Sequence, residues 1–131
     1  MPLDPKEVLV VMSDLFFAAK INDAAKKLGM SAVFVTTKAV ALEHLKPNPA
    51  VVILDLNCAS AEPLDLIRAI RENPDTASIP TLGFVSHVQT EVKQKAQEAG
   101  CDTVVARSVF AQKLPAILEG YATAAPVPEA D

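Results

Sequence analysis

The chain has 131 residues and a formal net charge of −4, and 50 % of its residues are hydrophobic although only 5 % are aromatic. This length suits one compact domain, with a core of Val, Leu, Ile and Ala of the kind found in a parallel sheet covered by helices. The acidic balance, without a Lys- or Arg-rich stretch, argues against a nucleic-acid partner.

The start of the chain and its two cysteines carry no sign of export or metal binding. The opening MPLDPKEV leads into a short apolar run, unlike a signal peptide or a membrane span, so a cytoplasmic protein without membrane contact is predicted. Cys58 and Cys101 are too few for a disulfide framework and lack further ligands at metal-binding spacing. The cysteines therefore predict no metal site.

Five short apolar runs are rich in β-branched residues and do not alternate with polar ones, as expected of strands buried on both faces of a sheet. They are Val8 to Val11, Ala32 to Thr36, Val51 to Leu54, Thr81 to Val85 and Thr103 to Ala106.

A segment with apolar residues at helical spacing follows each run. Gly29 and Gly100 mark the ends of the first and fourth helices, and Pro63 suits the first turn of the third. The fourth helix is predicted to begin near Val88.

The last helix, residues 110–121, is predicted to have Ser108 as its N-cap and to bend or restart at Pro115. Alternation of strand and helix five times over predicts an α/β fold with a doubly wound parallel sheet. Residues 1–121 are predicted to form one domain. Residues 122–131, with small residues, two prolines and two acids, are predicted to be a disordered tail.

In such a sheet, functional residues follow the carboxyl ends of the strands. With four glycines, the chain has neither a GxGxxG fingerprint nor a P-loop. Ser86 and His87 are neighbours whose side chains diverge in extended backbone, so they do not form a nucleophile–base pair. No enzyme is predicted.

The segments VVILDLN, SIPTLGFV, EAGCD and VVARS resemble the landmarks of CheY-like receiver domains of two-component response regulators. The resemblance extends from about Val8 to Tyr121 and implies a flavodoxin-like (βα)5 fold with strand order 2-1-3-4-5. In that family an aspartate that ends the third strand accepts a phosphoryl group, and an acidic pair that ends the first strand holds Mg²⁺. A Thr or Ser ends the fourth strand, and a Lys that ends the fifth contacts the phosphate.

By this resemblance Asp55 is the phosphoacceptor candidate, and Asn57 lies where the family offers a backbone carbonyl to the metal. The acidic pair falls on Met12 and Ser13, and the nearest carboxylate is Asp14. A thioether and a hydroxyl are poor ligands for Mg²⁺. Asp14 and Asp55 are therefore weak metal candidates, and no cofactor is predicted unless Asp55 is phosphorylated with Mg²⁺.

The resemblance places Arg107 on the Lys position, where it keeps the positive charge in a broader planar group. Val85 takes the hydroxyl position and Ser86 follows it, so Ser86 could contact a phosphate or cap the fourth helix. Val104 takes the position of the family's aromatic switch residue. The predicted pocket around the phosphoacceptor consists of Asp14, Asn57, Ser86 and Arg107.

Three further interpretations concern side chains near this pocket. Asp55 either caps nearby backbone N–H groups or forms an ion pair with Arg107 that imitates a neutralised pocket. His87 could sense pH or bind a metal, or be an ordinary loop residue. Of the adjacent Phe16 and Phe17, one should face the core, and an exposed one would indicate partner docking.

The altered pocket predicts a stand-alone pseudo-receiver that binds a protein, such as a histidine kinase or another regulator. A homodimer through the fourth and fifth helices is a further possibility. One alternative is a working single-domain response regulator phosphorylated on Asp55, with Mg²⁺ held by Asp14 and Asn57. The other is a small-molecule-binding flavodoxin-like protein.

Overall fold

Residues 7–46, 48–86 and 90–123, apart from the Thr123 side chain, are described by a computed structural model. Five parallel strands form one sheet in the order β2-β1-β3-β4-β5, as predicted. The strands are β1 (Glu7–Val11), β2 (Ser31–Val35), β3 (Val51–Asp55), β4 (Thr81–Val85) and β5 (Thr103–Ala106). The helices are α1 (Leu15–Lys27), α2 (Lys38–Glu43), α3 (Pro63–Glu72), α4 (Thr90–Ala99), α5 (Arg107–Gln112) and α6 (Leu114–Thr123), with a 3-10 turn at Ala59–Ala61.

The sheet is covered by helices on both faces. In β1, Leu9 and Val11 pack into the apolar cluster that contains residues of α2, α3 and α4. Val8 and Val10 point the other way, into the cluster that contains residues of α1, α5 and α6. Because side chains alternate along a strand, an uninterrupted apolar run supplies both clusters. None of the helices in the described ranges is long and apolar enough to cross a membrane.

Glycine and proline punctuate the helices as predicted. Gly29 follows α1 with φ +73°, and Gly100 follows α4 with φ +117°, both in the region that favours glycine. Pro63 is the first residue of α3, where its missing N–H costs no helical hydrogen bond. The described part of α4 begins at Thr90, and His87 and Val88 lie outside the described residues.

The last predicted helix is two helices in the structure. The helix is interrupted at Lys113, which caps α5. Pro115 falls in the first turn of α6, where a backbone N–H is not needed. Of the two outcomes expected at Pro115, the helix restarts. The N-cap prediction for Ser108 is wrong: β5 runs directly into α5, so Ala106 is the cap residue and Ser108 already lies inside the helix.

The end of α6 lies two residues beyond the predicted domain end at Tyr121, since Ala122 and Thr123 are helical. Residues 124–131 of the predicted tail lie outside the described residues.

Arg71 ties α3 to the amino ends of β4 and β5, at the edge opposite the candidate site. Its guanidinium donates to the carbonyls of Gly100, Ala77 and Ile79, and to the Thr81 hydroxyl and an Asp102 carboxylate oxygen, at 2.7–2.9 Å. All five of the N–H donors that an arginine carries are thereby used. This network stabilises the amino edge of the sheet and uses none of the candidate-site residues at the carboxyl edge.

Candidate functional site

The candidate site lies at the carboxyl edge of the sheet, where the ends of β1, β3, β4 and β5 meet. Its side chains come from the residues directly after these strands and from the first turns of α1 and α5. They form two groups, one around Arg107 and one around Asn57.

Asp14 is fixed at the N-terminus of α1. Its Oδ1 accepts hydrogen bonds from the backbone N–H groups of Phe16 and Phe17, at 3.0 and 3.1 Å, which caps the helix. Its Oδ2 accepts a hydrogen bond from Arg107 Nη2. The Phe17 N–H first, and the Arg107 guanidinium next, hold the pKa of Asp14 below its ordinary value. Asp14 is therefore a carboxylate with both oxygens engaged.

Arg107, the first residue of α5, lies over an aromatic cluster. Its guanidinium carbon is 4.6 Å from the centre of the Phe17 ring and 6.0 Å from that of Phe84. Phe110 completes the cluster and stacks on Phe84 with ring centres 5.3 Å apart. A guanidinium on an aromatic face gains a cation–π attraction, which favours this direction of the Arg107 side chain.

The interpretation in which Asp55 forms an ion pair with Arg107 is wrong. Within the described residues, the ion pair of Arg107 is with Asp14, and none joins it to Asp55. Two contacts give the physical reason: the α1 cap already orients the Asp14 carboxylate, and the guanidinium of Arg107 lies over the Phe17 ring. The ion pair with Asp14 and the contact with Phe17 thus favour the same direction of the Arg107 side chain.

Asp55 ends β3 and is partly buried. Its Oδ1 accepts a hydrogen bond from the Asn57 backbone N–H at 2.9 Å. The structure thus matches the interpretation in which Asp55 accepts from a nearby backbone N–H and not the one in which it pairs with Arg107. Its second carboxylate oxygen has no hydrogen-bond partner among the described residues. Phosphorylation of Asp55 stays a prediction.

Asn57 and Ser86 link the ends of β3 and β4. Asn57 Oδ1 accepts from the Ser86 backbone N–H at 2.9 Å and from the Ser86 hydroxyl at 3.1 Å. Ser86 was expected to contact a phosphate or to cap the fourth helix. In the described structure its hydroxyl donates to Asn57. Residues 87–89, whose N–H groups Ser86 would cap, lie outside the described residues, so both expected roles stay predictions. Val85, on the family's hydroxyl position, is buried.

Met12 and Ser13 follow β1 and point in different directions. Met12 is 2 % exposed and packs in the apolar cluster under α1, while its N–H donates to the Val35 carbonyl. Ser13 is exposed. No group of three or more His, Cys, Asp or Glu side chains is arranged to hold a metal within residues 7–46, 48–86 and 90–123.

An open groove runs between the first turns of α1 and α5, and we call it the α1–α5 groove. Its volume is about 370 Å³, and it is lined by Asp14, Phe16, Phe17, Lys20, Ser86, Arg107, Ser108 and Ala111. Phe16 is 88 % exposed and Phe17 is 5 % exposed, which confirms that one of the two faces the core. Leu15, beside Phe16, is 82 % exposed.

The structure brings Asp14, Ser86 and Arg107 of the predicted pocket into this groove, whereas Asn57 and Asp55 do not line it. Lys20 and Ala111 were missed by the reasoning from sequence. Their spacing carried a signal, because Lys20 follows Phe16 by four residues and Ala111 follows Arg107 by four, so each pair shares a helix face.

Comparison with protein-family models and with curated proteins found no match for this chain. Solved structures do match. The chain is similar to a response regulator from Hahella chejuensis, with a TM-score of 0.84 and 23 % identity, covering 94 % of this chain and 99 % of that one.

Two other solved structures agree with this fold. One is a phosphorylated cyanobacterial phytochrome response regulator, at a TM-score of 0.82 and 16 % identity, covering 95 % of this chain and 99 % of that one. The other is the receiver domain of a signal transduction histidine kinase from Syntrophus aciditrophicus, at 0.80 and 17 %, covering 96 % of each chain. The strand order, the helical layers and these matches together show that this chain has the receiver-domain fold of response regulators.

Proposed function

We propose that this chain is a receiver-like signalling module that acts by binding a protein partner and does not take a phosphoryl group by Mg²⁺-dependent chemistry. The observation that carries the proposal is the state of Asp14. It is the nearest carboxylate after β1, and its oxygens are engaged by Arg107 and by the α1 backbone.

The ligands at this edge do not fit Mg²⁺. This cation takes oxygen ligands in a near-octahedral shell and depends on carboxylates for its affinity. Met12 offers a buried thioether and Ser13 a hydroxyl. Among the described residues at this edge, Asp55 is then the carboxylate whose second oxygen has no hydrogen-bond partner. A single carboxylate is a weak site for a strongly hydrated ion.

The Arg107 guanidinium, directly after β5, is also engaged. In phosphoryl transfer, catalysis rests on positioning and on cations that neutralise developing charge. Arg107 is held on Phe17 and paired with Asp14, so it would have to leave both contacts to serve Asp55. The module would therefore signal through its surface, in the non-enzymatic manner of receiver domains.

A histidine kinase or another regulator remains the proposed kind of partner. Large apolar side chains exposed on the described part of the molecule are Leu15, Phe16, Val40, Leu42 and Val109, and α4 contributes none of them. A binding surface on α1 is thus better supported than one on α4. The homodimer through the predicted fourth and fifth helices, which are α4 and the α5–α6 pair in the structure, stays a prediction. Light scattering after size-exclusion chromatography would test it.

The second candidate function is a working response regulator phosphorylated on Asp55. The observation that favours it is the Asp55 carboxylate itself, partly buried at a strand end with one oxygen unpartnered among the described residues. It requires an unusual metal site and a displacement of Arg107.

Intact mass after incubation with acetyl phosphate and Mg²⁺ separates the two functions. We expect no phosphoryl adduct on the unsubstituted chain or on Asp55→Asn. The matched variant is Ser13→Asp, because Ser13 is exposed at the acidic-pair position and an added carboxylate there can reach solvent and metal. An adduct on Ser13→Asp that is lost in Ser13→Asp with Asp55→Asn would trace the lost chemistry to the missing carboxylate.

An adduct on the unsubstituted chain that is absent from Asp55→Asn would overturn the proposal and establish the second candidate.

A further inference from the structure

We infer that the α1–α5 groove binds a partner segment in which a carboxylate side chain lies beside a large apolar side chain, with Asp14 acting as a built-in competitor for that carboxylate. This inference rests on the proposed function, because it names the chemistry of the partner of a protein-binding module. It is carried by the apolar rim of the groove, its charges and the contacts of Arg107.

The apolar half of the groove is an unpartnered surface on α1. Phe16 and Leu15 are 88 % and 82 % exposed, and Phe16 lines the groove. An apolar ring in water is stabilised when a partner covers it, and adjacent exposed apolar residues near a cleft are typical of contact sites. Ala111, on the α5 side, leaves room for a side chain to enter beside Phe16.

The charged half of the groove has cationic groups in excess. Arg107 and Lys20 carry positive charge and Asp14 carries negative charge, so the lining has a net charge of +1 on a chain whose net charge is −4. Lys20 has no ion-pair partner among the described residues. A carboxylate brought by a partner would meet a local charge of opposite sign.

Arg107 is prepared to accept a second carboxylate. Its guanidinium carries five N–H donors, and within the described residues its one hydrogen-bond partner is Asp14 Oδ2. The side chain is 33 % exposed, so the remaining donors are within reach from the groove. Because the Phe17 ring holds the guanidinium in place, little conformational freedom is lost when a ligand binds it.

Asp14 lowers the affinity of the groove for an acidic partner, and its carboxylate is held in position by the α1 cap. Its Oδ1 is held by the N–H groups of Phe16 and Phe17, so the carboxylate stays beside Arg107 and repels a second one. An asparagine at this position would keep an oxygen to cap α1 and would remove the charge. Asp14→Asn is therefore expected to strengthen binding of an acidic segment.

A free anion is a poor fit for the same groove. The groove is open, Asp14 offsets part of the positive charge, and the hydroxyl hydrogen of Ser86 is given to Asn57. An anion that lacks an apolar part would gain nothing from Phe16. The groove therefore fits a carboxylate and an apolar side chain presented together.

Blocked dipeptides serve as probes, followed by amide chemical shifts of the ¹⁵N-labelled full chain. N-acetyl-Phe-Glu-amide carries both features, N-acetyl-Phe-Gln-amide lacks only the charge, and N-acetyl-Ala-Glu-amide lacks only the ring. We expect saturable shifts at Phe16, Lys20 and Ser108 with the first probe, with a dissociation constant of roughly 1–10 mM for so small a ligand. The other two probes should bind at least about fivefold more weakly.

Variants assign the binding to the named groups. Asp14→Asn should tighten binding of the Phe-Glu probe by about threefold or more, a free-energy change expected from removing one nearby like charge. Arg107→Gln should weaken it at least about tenfold, and Lys20→Gln, a change on an exposed side chain that leaves the fold intact, by about twofold. The amide spectrum of each variant verifies that it is folded.

Four results would overturn the inference: no saturable shift with the Phe-Glu probe, equal binding of the Phe-Gln probe, weaker binding by Asp14→Asn, or equal shifts with inorganic phosphate. These outcomes are distinct from failure of the proposed function, which an adduct on Asp55 measures. A chain that takes up a phosphoryl group and also binds the dipeptide would keep this inference and lose the proposed function.

Discussion

Asp14 receives three hydrogen bonds from two sides of the groove, and this single residue decides how the site is organised. The two backbone N–H groups orient the carboxylate, and Arg107 then completes it from α5. Both carboxylate oxygens of Asp14 are thereby engaged, and the guanidinium of Arg107 pairs with Asp14 and not with Asp55. A change at Asp14 should therefore show in stability as well as in binding.

We expect Asp14→Asn to lower the urea unfolding midpoint near pH 7, and we expect this loss to shrink as the pH falls below about 4. The pKa of Asp14 is lowered on folding, first by the Phe17 N–H and then by Arg107. Such a group adds stability above its unfolded pKa and loses that contribution as the pH falls through its folded pKa, whereas an amide does not titrate. Urea unfolding followed by circular dichroism at several pH values measures the difference.

Asp23→Asn is the control for net charge. Asp23 pairs with Lys27 on the same helix, and their side chains are 70 % and 76 % exposed, so the pair is screened by solvent. A loss at Asp14→Asn that stays constant from about pH 7 to about pH 3 would contradict the stated role of its carboxylate.

At the scale of elements, burial on both faces defines the strands, and the residues at the helix ends define where the helices stop. Gly29 and Gly100 both take positive φ, but their surroundings differ. No atom lies within 4 Å of a Cβ added at Gly29, while at Gly100 the added Cβ would be 2.6 Å from Arg71 Cγ. The two positions therefore separate backbone strain from steric conflict.

We expect Gly29→Ala to cost about 1 kcal/mol in the free energy of unfolding, which is the strain of a positive φ in a residue with a Cβ. Gly100→Ala should cost about 3 kcal/mol, because the new methyl group also pushes Arg71 out of its five hydrogen bonds. Urea unfolding of both variants provides the values.

The excess at Gly100 should disappear when both substitutions are repeated in an Arg71→Ala background, since the conflicting side chain is then absent. Equal losses at the two glycines in the unsubstituted background would show that Arg71 adapts at no cost.

At the scale of the whole molecule, burial is most complete in the middle of the sheet. Val8 to Val11 in β1 and Val51 to Leu54 in β3 are 0 % exposed, and these strands have neighbours on both sides. The edge strands β2 and β5 are partly exposed along most of their length. The candidate site draws on both regions, since Asp55 ends a central strand and Arg107 follows an edge strand.

Native-state hydrogen exchange should therefore find the slowest amides in β1 and β3, opening only with global unfolding at the free energy that urea gives. Amides of β5 should exchange through smaller openings, because one side of that strand has no partner strand in the described structure. Protection in β5 equal to that in β1 would mean that α5 and the edge strand unfold only with the whole domain.

The agreement between sequence and structure is uneven, and its pattern has a physical cause. The five strands, the glycine stops of α1 and α4, and the choice of a parallel sheet follow from local composition, because a strand buried on both faces must be apolar throughout. The positions of Asp14, Asp55 and Arg107 at one edge also follow, since parallel strands end on the same side. The exposure of one of two adjacent phenylalanines follows from helical spacing alone.

Local patterns did not predict which side chains pair at that edge. Arg107 could have turned to Asp55 or to Asp14, and nothing in the local pattern pointed from Ser86 to Asn57. The direction of Arg107 depends on the Phe17 ring under the guanidinium and on the α1 cap that orients Asp14. The bond to Ser86 depends on the Asn57 side chain, which reaches from the end of β3 to the end of β4. Sequence by itself thus determined the fold and the edge that carries the site. Tertiary structure alone decided the pairing, because Arg107 and Asp14 are 93 residues apart and meet only when their helices pack on the same face.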